Sequence, residues 1–383
     1  MRKKADLVRA ILSRGTEEII VAGSLRKRLE SGKKLRVKLG IDPTSPDLHL
    51  GHAVLLRKLR QFQDAGHTVI FLIGDFTARI GDPSGRSEER KVLSEKEILK
   101  NASTYLKQAG KIVDIKKAEV RKNSEWYKKG GLEKLLEIVR GVTIQQVLRR
   151  DDFDKRIKAG INVSFLESLY PILQGYDSVA LKADIELGGT DQKFNLLMGR
   201  HIQGFFKEPL QDVIMMPLLE GTDGVRKMSK SYQNSITLES APSDMFGKVM
   251  SVPDGLIQKY FTLLTDEDMK EADPYRAKRG LASLLVRMYH GAAAAKRAEE
   301  AFTATFSRRE LPAEMPEIAL PQKKMRLVDF LVKTGVPSKS EARRLIAQGA
   351  IQMNQETMSG DEEIIFSPGD IVKIGKKRFL KVK

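Results

Sequence analysis

Two short stretches of the chain combine residue types that can act on phosphate. The first is His49-Leu50-Gly51-His52, which follows a β-rich run through Gly40-Ile41-Asp42-Pro43-Thr44 and a turn at Pro46-Asp47. The apolar spacing after it predicts a helix beginning at His49. A helix amino terminus presents unpaired N–H groups and the positive end of its dipole, which suits an anion. Histidines three apart share a helix face and can donate together to phosphate oxygens. Gly51 has no side chain, so a flat ring or a phosphate can approach the backbone there. The plainer alternatives are two structural histidines or half of a zinc site, although nothing nearby supplies further ligands at zinc spacing. Neither a Walker sequence nor Gly-x-Gly-x-x-Gly is present.

The second stretch, Lys227-Met228-Ser229-Lys230-Ser231, lies 175 residues beyond His52 and follows the flexible lead Gly221-Thr222-Asp223-Gly224. Lysines three apart on a mobile loop can close onto the leaving phosphates of a nucleoside triphosphate, where charge develops during displacement at phosphorus. A lysine-rich pentapeptide by itself is usually a solvated loop. Its pairing with the His-x-Gly-His turn favours the chemical reading.

The elements that must position these groups are legible. Leu35–Ile41 and Thr68–Gly74 are β-rich, and Leu50–Ala65 between them has helical apolar spacing, with Gly66 as a stop signal. Strand, helix, strand over about 40 residues is a βαβ unit, so an α/β fold with a parallel, Rossmann-like sheet is expected. Further helices are predicted over 94–110, 132–151 and 194–206, and a late strand within Asp212–Leu219. From Pro242 to Arg308 the pattern is helical throughout. Pro312, Pro316 and Pro321 then interrupt it, and prolines so close together do not occupy a helix interior.

Together His49–His52 and Lys227–Ser231 resemble the HIGH and KMSKS motifs of the class I aminoacyl-tRNA synthetases. Gly40–Thr44, Gly81-Asp82-Pro83-Ser84-Gly85, Gly188-Gly189-Thr190-Asp191-Gln192 and Tyr170-Pro171-Ile172-Leu173-Gln174-Gly175-Tyr176-Asp177 are similar to the tyrosyl-tRNA synthetases. That resemblance covers essentially the whole chain. It implies a Rossmann-like catalytic domain with a helical insertion over 1–232 and an α-helical, anticodon-side domain over 233–310. A linker over 311–324 and a small α+β RNA-binding domain over 325–383 would follow.

The resemblance also implies roles. Tyrosine's carboxylate would attack the α-phosphate of ATP, and the tyrosyl group would pass to the terminal adenosine of tRNA(Tyr). The carboxylate is already ionised, so positioning and charge stabilisation would carry the first step. His49, His52 and Thr44 would grip the triphosphate, and Lys227 and Lys230 would close on pyrophosphate with Arg86 and Arg90 as helpers. Gly40, Asp42, Gly51, Gly189 and Asp191 would bound the nucleoside, with Met228 and Ser229 beside it. Asp82, Tyr170 and Gln174 would hold the α-amino group. Asp177 would accept from the phenol hydroxyl, with Gln192 close by. Mg²⁺ would come with the triphosphate and no dedicated metal site is expected. Many tyrosyl enzymes carry a Tyr where this chain has Lys38. Strand alternation places Arg36, Lys38 and Gly40 on one side, so pairing of Lys38 with a carboxylate is an alternative to a place in the phenol pocket.

The carboxyl-terminal stretch resembles the RNA-binding module shared with the fourth small-subunit ribosomal protein, through Arg326–Leu331, Ser338–Ile346, Gly349–Met353 and Pro368–Val372. Ser338 and Glu341 have capping-box spacing. Lys339, Arg343, Arg344, Lys376, Lys377 and Arg378 would meet RNA backbone. Composition agrees with a polyanionic partner. The chain has 67 Lys or Arg against 50 Asp or Glu, a net +17, and such a field attracts nucleic acid. Residues 322–383 alone carry 13 basic and 7 acidic side chains. There is no cysteine, which removes disulfides and thiolate chemistry and fits a cytoplasmic address. Neither a membrane span nor a signal peptide is expected. The resemblance further implies a homodimer. Two other readings stay open: a synthetase for another aromatic amino acid, against which Asp177 speaks, and a non-catalytic RNA-binding protein on the same fold.

Overall fold

The computed structural model describes residues 2–84, 93–307, 315–318, 320, 324–354, 356–375 and 378–383. The chain divides into two compact units, residues 1–298 and 299–383.

The first unit begins with α1 (Arg2–Ser13), β1 (Glu18–Ile20), α2 (Ala22–Glu30), β2 (Arg36–Ile41), α3 (Leu50–Asp64) and β3 (Thr68–Ile73). It continues through α4 (Glu95–Ala109), β4 (Glu119–Lys122), α5 (Ser124–Val139), α6 (Ile144–Leu148), α7 (Asp151–Lys158) and α8 (Phe165–Ala180). Next come β5 (Ile185–Gly189), α9 (Lys193–Phe205) and β6 (Asp212–Met216). The six strands form one sheet in the order β1-β6-β5-β2-β3-β4. Every neighbouring pair from β6 to β4 is parallel, and only β1 runs antiparallel, on β6. Helices cover both faces, so central strands read as continuous apolar runs. Val69 to Ile73 are all essentially inaccessible, and burying each large aliphatic side chain contributes about 1.5–3 kcal/mol.

Strand β2 has β3 on one side and β5 on the other. Successive connections therefore leave it in opposite directions, and the crevice outside the carboxyl ends of β2 and β5 is the topological switch point where such sheets bind ligands. The chain leaves β2 through Gly40–Thr44 and leaves β5 through Gly188–Gln192, so both motifs meet there.

The run 132–151, expected as one helix, is broken. Thr143 caps α6 by accepting from the N–H of Gln146, and a Thr cap with Gln three residues on starts a new helix more cheaply than it continues an old one. Helix α3 begins at Leu50, with His49 as its extended N-cap rather than its first residue.

Beyond β6, α10 (Pro242–Met250), α11 (Ile257–Leu264) and α12 (Pro274–His290) lie in the same compact unit, and α13 spans Ala292–Ser307. In the second unit, β7 (Glu317–Ile318) pairs with β13 (Arg378–Val382), so a strand falls inside the stretch expected as linker. β8 (Lys324–Arg326), α14 (Leu327–Lys333), α15 (Lys339–Ala347), β9 (Ile351–Met353), β10 (Glu356–Thr357), β11 (Glu363–Ile365) and β12 (Ile371–Ile374) complete the unit. Its core holds Phe330 stacked on Phe366 at 4.4 Å between ring centroids. Ser338 caps α15 by accepting from the N–H of Glu341. The Glu341 carboxylate turns to Arg344 at 2.7 Å.

Candidate active site

A cavity of about 640 Å³ opens at the switch point. It is lined from β2 and its exit by Gly40, Asp42 and Thr44, from the α3 start by His49, Gly51 and His52, and from α8 by Tyr170, Gln174 and Asp177. Asp82, Gly189, Asp191, Gln192 and Lys227–Ser231 complete the wall, with Lys38 at its base. Every expected nucleotide and amino-acid residue among the described residues therefore faces one space. Arg86, Arg90, Lys376 and Lys377 lie outside the described residues.

The two phosphate-directed motifs are stitched together by the backbone. Leu50 donates to Ile236 O and Leu238 to Leu48 O, both at 2.9 Å, which docks the α3 start on the segment following Lys230. The imidazoles of His49 and His52 lie 4.0 Å apart. The His49 N–H donates to His52 Nδ1 at 3.2 Å, so the proton of a neutral His52 sits on Nε2. His49 Nδ1 is buried without a partner. Burial, then the charge of Lys230, lowers His52 to about 4. Burial, His52 and the two lysines hold His49 well below its usual range. Both rings are thus neutral donors at pH 7, and cationic charge comes from the lysine loop. A Cβ on Gly51 would stand 3.0 Å from the His49 ring, so glycine leaves room for the imidazole.

Each loop lysine is latched to a carboxylate across the mouth. Lys227 pairs with Asp191 at 2.7 Å and Lys230 with Asp47 at 2.5 Å. The loop is framed by Asn234, a buried residue that no sequence motif marks. Its Oδ1 accepts from the Ser229 N–H at 2.8 Å, and its Nδ2 donates to Asp223 and to the carbonyls of Arg226 and Lys227.

The other end of the cavity is a hydrogen-bonded polar wall. Tyr170 donates to Asp42 Oδ2 at 3.0 Å, and Thr77 donates to Asp42 Oδ1 at 2.8 Å. Gly74 makes this possible, because a Cβ there would lie 1.9 Å from Asp42 Oδ1. Gln192, expected close to Asp177 in the amino-acid pocket, lines the same cavity and donates to Asp82 Oδ2 at 2.7 Å. It sits on the short turn after β5, whereas Asp177 is on α8. Asn195 joins Asp82 to Ser84 and Gln192 and is itself held by buried Arg150.

Asp177 is buried at the inner end. Its Oδ1 accepts from Trp126 Nε1 at 3.0 Å and Tyr127 OH at 2.9 Å, and its Oδ2 accepts one long bond from Asn123 at 3.3 Å. Oδ2 therefore retains capacity for another donor. Burial pushes Asp177 up to about 6, opposed first by the charge of Lys38 and then by the donors from α5 and its cap. Trp126, Tyr127 and Asn123 were not identified from sequence. They lie about 50 residues upstream of Asp177, and a polar contact at that separation leaves no periodic trace. Lys38 finds the carboxylate expected for it in Glu186, at 2.9 Å.

A Rossmann-like sheet that places a His-x-Gly-His turn and a lysine loop at one switch point has the features of a class I nucleotide-activating ligase. The family model for class I tRNA synthetases (W and Y) matches residues 30–307, and the chain belongs to that family. A second model, for the tyrosine–tRNA ligase SYY-like C-terminal domain, matches residues 308–382. The chain is 49% identical over 381 residues to the tyrosine–tRNA ligase of Aquifex aeolicus, covering 97% of each chain. It is 48% identical over 395 residues to that of Dehalococcoides mccartyi strain CBDB1, covering all of both. The fold is also that of the tyrosyl-tRNA synthetase from Archaeoglobus fulgidus solved with L-tyrosine, with a TM-score of 0.63 at 22% identity over 77% of this chain and 99% of that one.

Proposed function

We propose that the chain is a tyrosine–tRNA ligase that activates L-tyrosine with ATP and transfers it to the 3′-terminal adenosine of tRNA(Tyr). The observation that carries this reading is a buried, donor-oriented carboxylate, Asp177, at one end of the cavity that the histidine and lysine motifs close at the other. Tyrosine lies with its phenol at Asp177 and its ammonium among Asp82, Tyr170 and Gln174. Its carboxylate then faces the nucleotide end, and attack on the α-phosphorus expels pyrophosphate.

At that step His49 and His52 act as neutral donors to the phosphates. Lys227 and Lys230 exchange Asp191 and Asp47 for phosphate oxygens, which frees Asp191 to accept from the ribose hydroxyls. Mg²⁺ would come with the triphosphate, whose oxygens and bound water supply most of its ligands. Thr44, Gly40, Asp42, Gly51, Gly189, Met228 and Ser229 shape the nucleotide end. In the second unit, Lys339, Arg343, Arg344 and Arg378 meet RNA phosphates. Lys339 pairs with Asp329 and Arg344 with Glu341 at the surface, and such pairs cost little to exchange. The enzyme works where tRNA and ATP are, in the cytoplasm. No helix among the described residues is long and apolar enough to cross a membrane.

Purified protein is expected to catalyse ATP–pyrophosphate exchange with tyrosine and not with tryptophan. Exchange with tryptophan alone would reassign the substrate. No exchange with any amino acid would favour a non-catalytic RNA-binding protein.

A homodimer completes the proposal. Leu132, Leu136, Ile144, Ile157, Ile161 and Phe165 are exposed on or beside α5 to α8, and Phe165 is 72% exposed. Apolar surface of this kind marks an interaction site. Phe165→Asp is expected to weaken self-association by about 100-fold or more, as read by sedimentation velocity. An unchanged dimer places the interface elsewhere.

A further inference from the structure

Lys38 takes a position in which it binds no substrate. It is fully buried on β2, opposite Glu186 of β5 in the register of the sheet. Its ammonium donates to Glu186 Oε1 at 2.9 Å, to Gln174 O at 3.1 Å and to Ser178 Oγ at 2.9 Å. An ammonium has three N–H bonds, so none is left for a ligand. Two of the three acceptors belong to the turn of α8 that carries Gln174 and Asp177 into the cavity.

Glu186 extends the same arrangement. It accepts from Gln174 Nε2 at 3.2 Å, Ser178 Oγ at 3.0 Å and Gln211 Nε2 at 2.5 Å. An ionised carboxylate only accepts. The Gln174 amide must therefore turn its NH₂ toward Glu186, which leaves its carbonyl oxygen as the acceptor for an ammonium. One ion pair thus fixes both the Gln174 amide and the backbone of the turn that carries the Asp177 carboxylate.

We propose that Lys38, clamped by Glu186, is a positioning residue that sets amino-acid specificity by holding the Gln174–Ser178 turn with one acceptor aimed at each polar end of the substrate. The inference rests on the cavity being the tyrosine site. The ammonium also supplies positive charge against the burial that pushes Asp177 up. Buried ion pairs are often no more stabilising than apolar residues of equal volume, so a geometric role explains the pair better than a stabilising one.

The test compares the parent with Lys38→Met and with Lys38→Met combined with Glu186→Gln. The second variant leaves no orphaned charge and keeps the test open if the first does not fold. Pyrophosphate exchange is measured with tyrosine, phenylalanine and ATP varied separately, across a pH series. Tyrosine KM is expected to rise about tenfold or more while ATP KM moves less than about twofold, a loss typical of a misplaced hydrogen-bond acceptor. Preference for tyrosine over phenylalanine should shrink, and the rise of tyrosine KM in acid should begin at higher pH. An unchanged tyrosine KM and pH profile, tyrosine and ATP KM rising together, or failure of both variants to fold would overturn the specificity role. A parent inactive with tyrosine would overturn the tyrosine reading, and the clamp with it. An active parent with unaltered variants would overturn the clamp alone.

Discussion

His52→Ala is expected to slow tyrosyl-adenylate formation by about 10²–10³-fold, the usual cost of one preorganised donor aimed at developing charge. Its ring is fixed, because Nδ1 accepts from the His49 N–H and Nε2–H is thereby the group available to phosphate. Alanine removes that donor while leaving the amino-acid end untouched. Single-turnover measurements should therefore show the loss in the rate of activation, with tyrosine affinity nearly unchanged. A selective loss of tyrosine binding would contradict the assignment. Because His52 sits at about 4 in the folded chain against 6.5 for the free ring, its neutral form persists well below neutral pH, and activation should not fall between pH 8 and 6 through this residue. The same displacement affects stability. As pH drops from 6.5 toward 4, the unfolded chain takes up a proton that the folded site refuses, so folding loses stability across that window.

The second large effect is expected at Asp177. Asp177→Asn should lower kcat/KM for tyrosine by about 10–100-fold, the range for replacing a hydrogen bond to a charged acceptor by a neutral one. Discrimination against phenylalanine should shrink from both sides. Tyrosine loses charge assistance, and phenylalanine no longer strands a buried carboxylate without its partner. ATP KM should stay constant. Burial raises Asp177 to about 6, so its carboxylate gains a proton as pH falls through that value and ceases to be a pure acceptor. In the parent, tyrosine KM should therefore climb between about pH 7 and about pH 5, and in Asp177→Asn it should not. A parent KM that is flat over that interval would count against phenol recognition by this carboxylate.

These two residues also show how differently parts of the site are written in the chain. His52 lies in a motif only four residues long at the start of α3, and β2, α3 and β3 all fall within about 40 residues. Period, cap and turn signals are local, and local signals survive in sequence. Asp177 was legible as a position, but its environment was not. The groups that orient it come from Asn123, Trp126 and Tyr127, and the charge that opposes its burial comes from Lys38 on β2.

The sequence by itself determined the parallel α/β sheet, the helix after β2, the two phosphate-directed motifs and the capped helix at Ser338, because each depends on spacing within a few turns or strands. Tertiary structure decided that Gln192 serves Asp82, that Lys227 and Lys230 are latched to Asp191 and Asp47, that Asn234 frames their loop, and that the run 132–151 breaks at Thr143. Lys230 and Asp47 are 183 residues apart. Their meeting depends on strand order and on which backbone segments dock at the switch point, and a hydrogen bond closed by chain topology imposes no period on the residues that make it.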